Sequence, residues 1–188
     1  MGKNITRRWL ATMIESYYWK EDILGYSKQF KPVSKPARWS ERLQVNFEKD
    51  VTISFFMIRK LIESTKLSSV TINYKAKIFR SPCVGKVNNR NFLDIDELYD
   101  LDSEQLVSKN VKFLCNQLIH GGAIFAYRDK DRNWGGIYTC SDFEREKYIY
   151  KIPISEIIKI LEVAGNDYPD TITMTYSESK GDYVVKTN

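Results

Sequence analysis

Between Ser40 and Thr65 the chain repeats its apolar residues at the spacing of one helical face. Leu43, Phe47, Val51, Ser54, Ile58 and Leu61 follow steps of three and four. An α-helix turns once in about 3.6 residues, so those side chains fall on one stripe. Val45, Ile53, Phe55, Phe56, Met57 and Ile62 broaden the stripe, and the helix is expected to be central. Arg59 sits in its most apolar part with Glu63 one turn later, a spacing that permits an ion pair. Structural pairing with Glu63 is the simplest role for a charge in such surroundings.

The other elements are read around that helix. An earlier helix is predicted over Ile5 to Trp19, with Leu10, Ile14 and Tyr17 on one face, and the prolines of Lys28 to Pro36 predict a loop between the two. Val70 to Phe79 alternates and predicts a strand paired with Asn91 to Ile95, with a loop over Ser81 to Asn89. Ser103 is read as the N-cap of a helix that runs to His120 and stops at Gly121-Gly122, with Val107, Val111, Leu114 and Leu118 as its core stripe.

From Ala123 the apolar period changes to two. Ala123 to Arg128 and Gly136 to Ser141 predict a hairpin, Lys147 to Ile152 a third strand, and Ser155 is read as the cap of a short helix to about Ala164. Thr171 to Ser177 and Asp182 to Lys186 predict two more strands, the former with Ile172, Met174 and Tyr176 on its covered face. The expectation is one α+β domain over 1–188. A mainly helical part over 1–122, with long antiparallel helices and a strand insertion near 70–95, precedes an antiparallel β-rich part over 123–188 with one short helix.

Composition limits the chemistry. No apolar run approaches the ~20 residues of a membrane span, and no signal-peptide core follows Lys3, Arg7 and Arg8, so a cytoplasmic protein without a membrane partner is expected. Cys83, Cys115 and Cys140 form no Cys-x-x-Cys pair, and His120 is the sole histidine, so neither metal nor cofactor is expected. The net charge of +5 is uneven: residues 1–88 carry 17 Lys and Arg against 7 Asp and Glu, and residues 89–188 carry 12 against 17. Such polarity suits a phosphate-rich partner, or attraction between the two halves of the fold.

One constellation carries chemistry. A helical step of four residues brings Asn116 and His120 to nearly the same side, one turn apart, with Lys112 a turn earlier on the same polar line. An imidazole can move a proton, and an amide can orient a phosphate, a ribose hydroxyl or the imidazole itself. Alternatively, His120 is a helix-terminal residue that caps a carbonyl and favours the dipole. Cys115 cannot act with His120, because five steps leave them about 140° apart, and it is read as a small core residue. Tyr148 and Tyr150, separated by strand alternation from Lys147 and Lys151, are read as packing residues.

The segment Cys115-Asn116-Gln117-Leu118-Ile119-His120, with the preceding Ile58-Arg59-Lys60-Leu61-Ile62-Glu63, resembles the HEPN superfamily. Its ribonucleases carry an arginine, a polar residue that is often asparagine, and a histidine within a few residues on one helix. Asn116 and His120 match; Cys115 stands where that family has its arginine. A cation on the phosphate is a major source of stabilisation in metal-independent RNA cleavage. Lys112, or Arg59 reaching across from an antiparallel helix, are the candidate substitutes.

The resemblance implies a non-catalytic interaction module whose partner is RNA or an acidic protein. The alternative is a metal-independent ribonuclease of toxin or defence type that uses His120 and Asn116 at the cleft of a homodimer. A small-molecule enzyme with an unrecognised site is the third class, and no cofactor fingerprint recommends it.

Overall fold

The computed structural model describes residues 15–31, 38–179 and 181–188. Its first helix, α1 (Tyr17–Gln29), overlaps the helix predicted over 5–19 only at the end, and residues 5–14 of that prediction lie outside the described residues. Two of its three buried positions are polar, Lys20 and Ser27 beside Ile23, so no apolar stripe announces it. The Lys20 ammonium is accommodated by the Asp167 carbonyl, to which it donates, and by the Tyr168 ring 4.2 Å away. The predicted loop therefore starts later than Lys28, and its residues 32–37 are outside the described residues.

Helix α2 (Glu41–Glu63) follows, with the Ser40 hydroxyl accepting from the Leu43 N–H at 3.3 Å. Phe47, Val51, Ser54, Ile58 and Leu61 are buried as the stripe requires, with Phe55 and Met57 beside them. Each large apolar side chain so removed from water contributes about 1.5–3 kcal/mol. Leu43 at the start of the stripe, and Val45, Ile53 and Phe56 on its flank, are exposed.

Ser68 then caps a single helical turn, α3 (Ser69–Ile72), where a strand is predicted, and the strand β1 covers Lys75–Pro82. Cys83 extends it by a bridge to Tyr99. Asn91 to Ile95 is not its partner: this stretch turns into the short helix α4 (Ile95–Leu98). Nor is Ser103 an N-cap. It ends a 3-10 turn, where its hydroxyl donates to Asp100 at 2.7 Å, and Gln105–Asn110 is strand β2 rather than helix.

Helix α5 is thus only Val111–Ile119. Strands β3 (Ala123–Arg128), β4 (Trp134–Cys140) and β5 (Tyr148–Pro153) match the predicted meander. Helix α6 (Ile154–Gly165) starts one residue before Ser155, from Pro153, so Ser155 lies inside it. The hairpin β6 (Ile172–Ser177) and β7 (Asp182–Thr187) ends the chain.

Five strands form one antiparallel sheet in the order β2-β1-β5-β4-β3, so strands from both sides of residue 122 share it. The registers Ile78↔Val107, Phe79↔Lys151 and Ile137↔Ile152 give the sheet two distinct faces. Ala76, Ile78, Ile137, Tyr150 and Ile152 lie in one core with the buried stripes of α2, α5 and α6. On the opposite face Val87, Leu98 and Tyr99 from the segment after β1 pack over Ile149 as a second, smaller core.

The β6–β7 hairpin pairs only with itself and is tied back by the Thr187 hydroxyl, which donates to the Leu67 carbonyl. Its Ile172, Met174 and Tyr176 are consequently exposed, not covered as the alternation predicted. No helix among the described residues is long and apolar enough to cross a membrane.

Candidate functional site

Helix α5 is fixed at its start by Asn110, whose side-chain oxygen accepts from the Phe113 N–H at 2.8 Å. Val111, Leu114, Cys115 and Leu118 face the core. Cys115 is wholly buried, and burial pushes its thiol up to about 12, so it is neutral and inert at ordinary pH. Residue 115 therefore faces the core and not solvent.

Gln117, two residues later, is also buried, and its side-chain oxygen accepts from the Ser141 N–H at 2.8 Å. That bond ties α5 to the end of β4. Nothing in the local sequence marks Gln117 for this role, because its partner is 24 residues away.

Helix α2 brings a guanidinium to α5. Arg59 is 22% exposed; its Nε donates to Glu63 Oε1 at 2.8 Å and its Nη1 donates to Asn116 Oδ1. The predicted pair with Glu63 is present, and so is the reach across to Asn116. A guanidinium has five N–H groups, and these contacts use two of them. Lys60 also bonds Glu63, at 2.9 Å, and the Lys60 ammonium followed by the Arg59 guanidinium hold the Glu63 carboxyl below its ordinary range.

His120 is the C-cap of α5. Its N–H donates to the Asn116 carbonyl at 3.1 Å, and its carbonyl accepts from the Asp142 N–H at 3.0 Å. The residue is exposed, and among the described residues its imidazole has no hydrogen-bond partner. Lys112 is exposed on α5 and does not join the Arg59–Asn116 contact. Lys109 belongs to β2 and lies over the Phe113 ring, 4.5 Å from its centroid.

The turn after His120 is packed, not merely flexible. A side chain on Gly121 would bring its Cβ to 2.6 Å from the carbonyls of both Cys140 and Gln117, whereas on Gly122 it would meet only Asp142 Oδ1, at 3.8 Å. Gly121 is thus required by the close approach of the helix end to β4. Beside it an apolar groove of about 460 Å³ runs between α2 and β3, lined by Ile53, Phe56, Ile119 and Ile124.

Arg59, Asn116, Lys112 and His120 line neither this groove nor the cavity on the opposite side of Gly122. Among the described residues no group of three His, Cys, Asp or Glu could hold a metal ion. No family model, curated protein or solved structure matches the chain.

Proposed function

We propose that the chain is a HEPN-like interaction module that holds an RNA strand by its phosphates along the seam of α2 and α5 without cleaving it. The observation that carries this reading is the hydrogen bond from Arg59 to Asn116. It sets a partly exposed guanidinium, with three N–H groups unspent, against the Asn116–His120 turn of the helix. Exposed Lys112 and exposed His120 lie one turn to either side of Asn116. A planar fork of donors suits a phosphate, and arginine held by neighbours loses less freedom on binding than a free one.

Three features favour binding over catalysis. Glu63 offsets part of the Arg59 charge, the Asn116 oxygen is occupied by Arg59, and among the described residues no group orients the His120 imidazole as a general acid or base requires. The ribonuclease reading is favoured by the same contact, which joins an arginine to an asparagine one helical turn from His120. Incubating labelled single-stranded RNA at low salt with the wild-type protein and with His120→Ala separates the two. No cleavage, or equal cleavage, is expected; cleavage that His120→Ala abolishes would establish the enzyme.

A further inference from the structure

On the face of the sheet away from α5, a cavity of about 430 Å³ lies beneath the segment that follows β1. Its floor is Phe125 of β3, Cys140 of β4 and Ile149 of β5, and its roof is Val87, Phe92 and Ile95. The roof is anchored by Tyr99, whose hydroxyl donates to the Arg145 carbonyl at 2.7 Å and lies 3.7 Å from the Cys140 sulfur. The cavity opens to solvent beside exposed Asn89 and Asp142. Its volume and largely apolar lining are those of a small-ligand site.

The polar groups on this cavity define what it would take. Asn89, Asp142 and Arg145 contribute an amide, a carboxylate and a guanidinium. Arg145 Nη1 and Asp142 Oδ1 are 3.6 Å apart, so the two charges largely offset each other and neither a free anion nor a free cation is favoured. Exposed Asn89 has no hydrogen bond to its amide among the described residues, which leaves it a donor and an acceptor to give. Phe92, Phe125 and Tyr99 supply aromatic faces and edges. Burial raises the Cys140 thiol and the Tyr99 hydroxyl, so neither is a nucleophile at neutral pH and the cavity is built to bind.

From this combination we infer that the cavity binds a neutral, flat nitrogen heterocycle with donors and acceptors along one edge, that is, a nucleobase. Aromatic walls with an amide and a guanidinium at hand are the means by which proteins hold an unstacked base. The source is a free nucleoside or nucleotide, or a base turned out of a bound strand. The latter rests on the RNA reading above. It is supported by the bond from the Asp142 N–H to the His120 carbonyl, which joins the cavity to the end of α5.

Gly122 provides the test. It lines the cavity, and a Cβ there meets only Asp142, so a larger side chain can enter the space without displacing backbone. Titration calorimetry with adenosine, guanosine, cytidine and uridine is paired with fluorescence of a single-stranded RNA decamer containing one 2-aminopurine. The proteins compared are wild type, Gly122→Ala, Gly122→Leu and Asn89→Ala, each checked for an unchanged thermal transition.

At least one nucleoside should bind one-to-one. Gly122→Ala should stay within about threefold of wild type, and Gly122→Leu and Asn89→Ala should each lose about tenfold or more. Nucleoside binding without RNA binding supports the cavity and overturns the RNA reading. Salt-dependent RNA binding with no nucleoside binding and an unchanged 2-aminopurine signal overturns the cavity proposal and leaves the RNA reading standing. Binding that Gly122→Leu and Asn89→Ala leave untouched also overturns it, and Asn89→Ala, at an exposed loop position, decides the matter should Gly122→Leu fail to fold.

Discussion

At residue scale, position 115 separates this chain from the pattern it resembles. Its side chain is in the core, so Cys115→Arg would bury an uncompensated charge and should cost about 3–5 kcal/mol, whereas Cys115→Ala should cost about 1 kcal/mol. Urea midpoints of the two variants check this; a stably folded Cys115→Arg would show that α5 can turn this face outward. The sequence alone offered Arg59 as a substitute cation, since it lies amid apolar residues on a long helix that could run antiparallel to α5. It could not show that Asn116 is the contact, because the two are 57 residues apart. Glu63 adds a pH dependence. Its carboxyl is depressed in the fold, so the stabilisation is present above the unfolded value and is lost as pH falls through the lower folded value. The Arg59 Nε–H should therefore keep its protection from exchange through the ordinary carboxylate range and lose it only at pH below that range, as NMR would record. Loss near neutral pH would mean that Glu63 does not hold it.

At element scale, the junction of α5 with β4 positions His120. Gly121→Ala should destabilise by about 1–3 kcal/mol, because its Cβ would overlap two carbonyls, while Gly122→Ala should fall within about 0.5 kcal/mol of wild type. Chemical denaturation of both variants measures the contrast, and equal effects would contradict the packing described. Helix α2 and the β3–β4–β5 meander were legible because each keeps a single period over its length. Strand β2 was not: Val107, Val111, Leu114 and Leu118 are spaced by four, three and four, so a two-periodic strand running straight into a helix reads as one longer helix. The capping asparagine, Asn110, is the one local sign of the true boundary. Helix α1 was hidden for the opposite reason, since Lys20 and Ser27 occupy positions where apolar residues would reveal a stripe.

At the scale of the whole molecule, the basic first half and the acidic second half do not form separate bodies. Strand β1 of the first pairs on one side with β2 and on the other with β5, both of the second. Charge asymmetry along the sequence therefore becomes internal pairing in places, as between Lys31 and Glu162, and Lys151 bonds Glu104 at 2.8 Å within the acidic half. Arg59 remains partly exposed at the seam of α2 and α5, and Lys112 is exposed on α5. The cavity at Gly122 and the seam at Asn116 are joined through His120, an arrangement invisible in sequence because its parts come from five elements and the segment after β1. The most direct measurement is the affinity of wild type and Arg59→Gln for single-stranded RNA across about 50 to 200 mM salt. Wild-type affinity should fall linearly on a log–log plot, and Arg59→Gln should bind more weakly with a slope shallower by about 0.7 for the lost phosphate contact. Absence of binding, or an affinity indifferent to salt and to Arg59, would contradict the account.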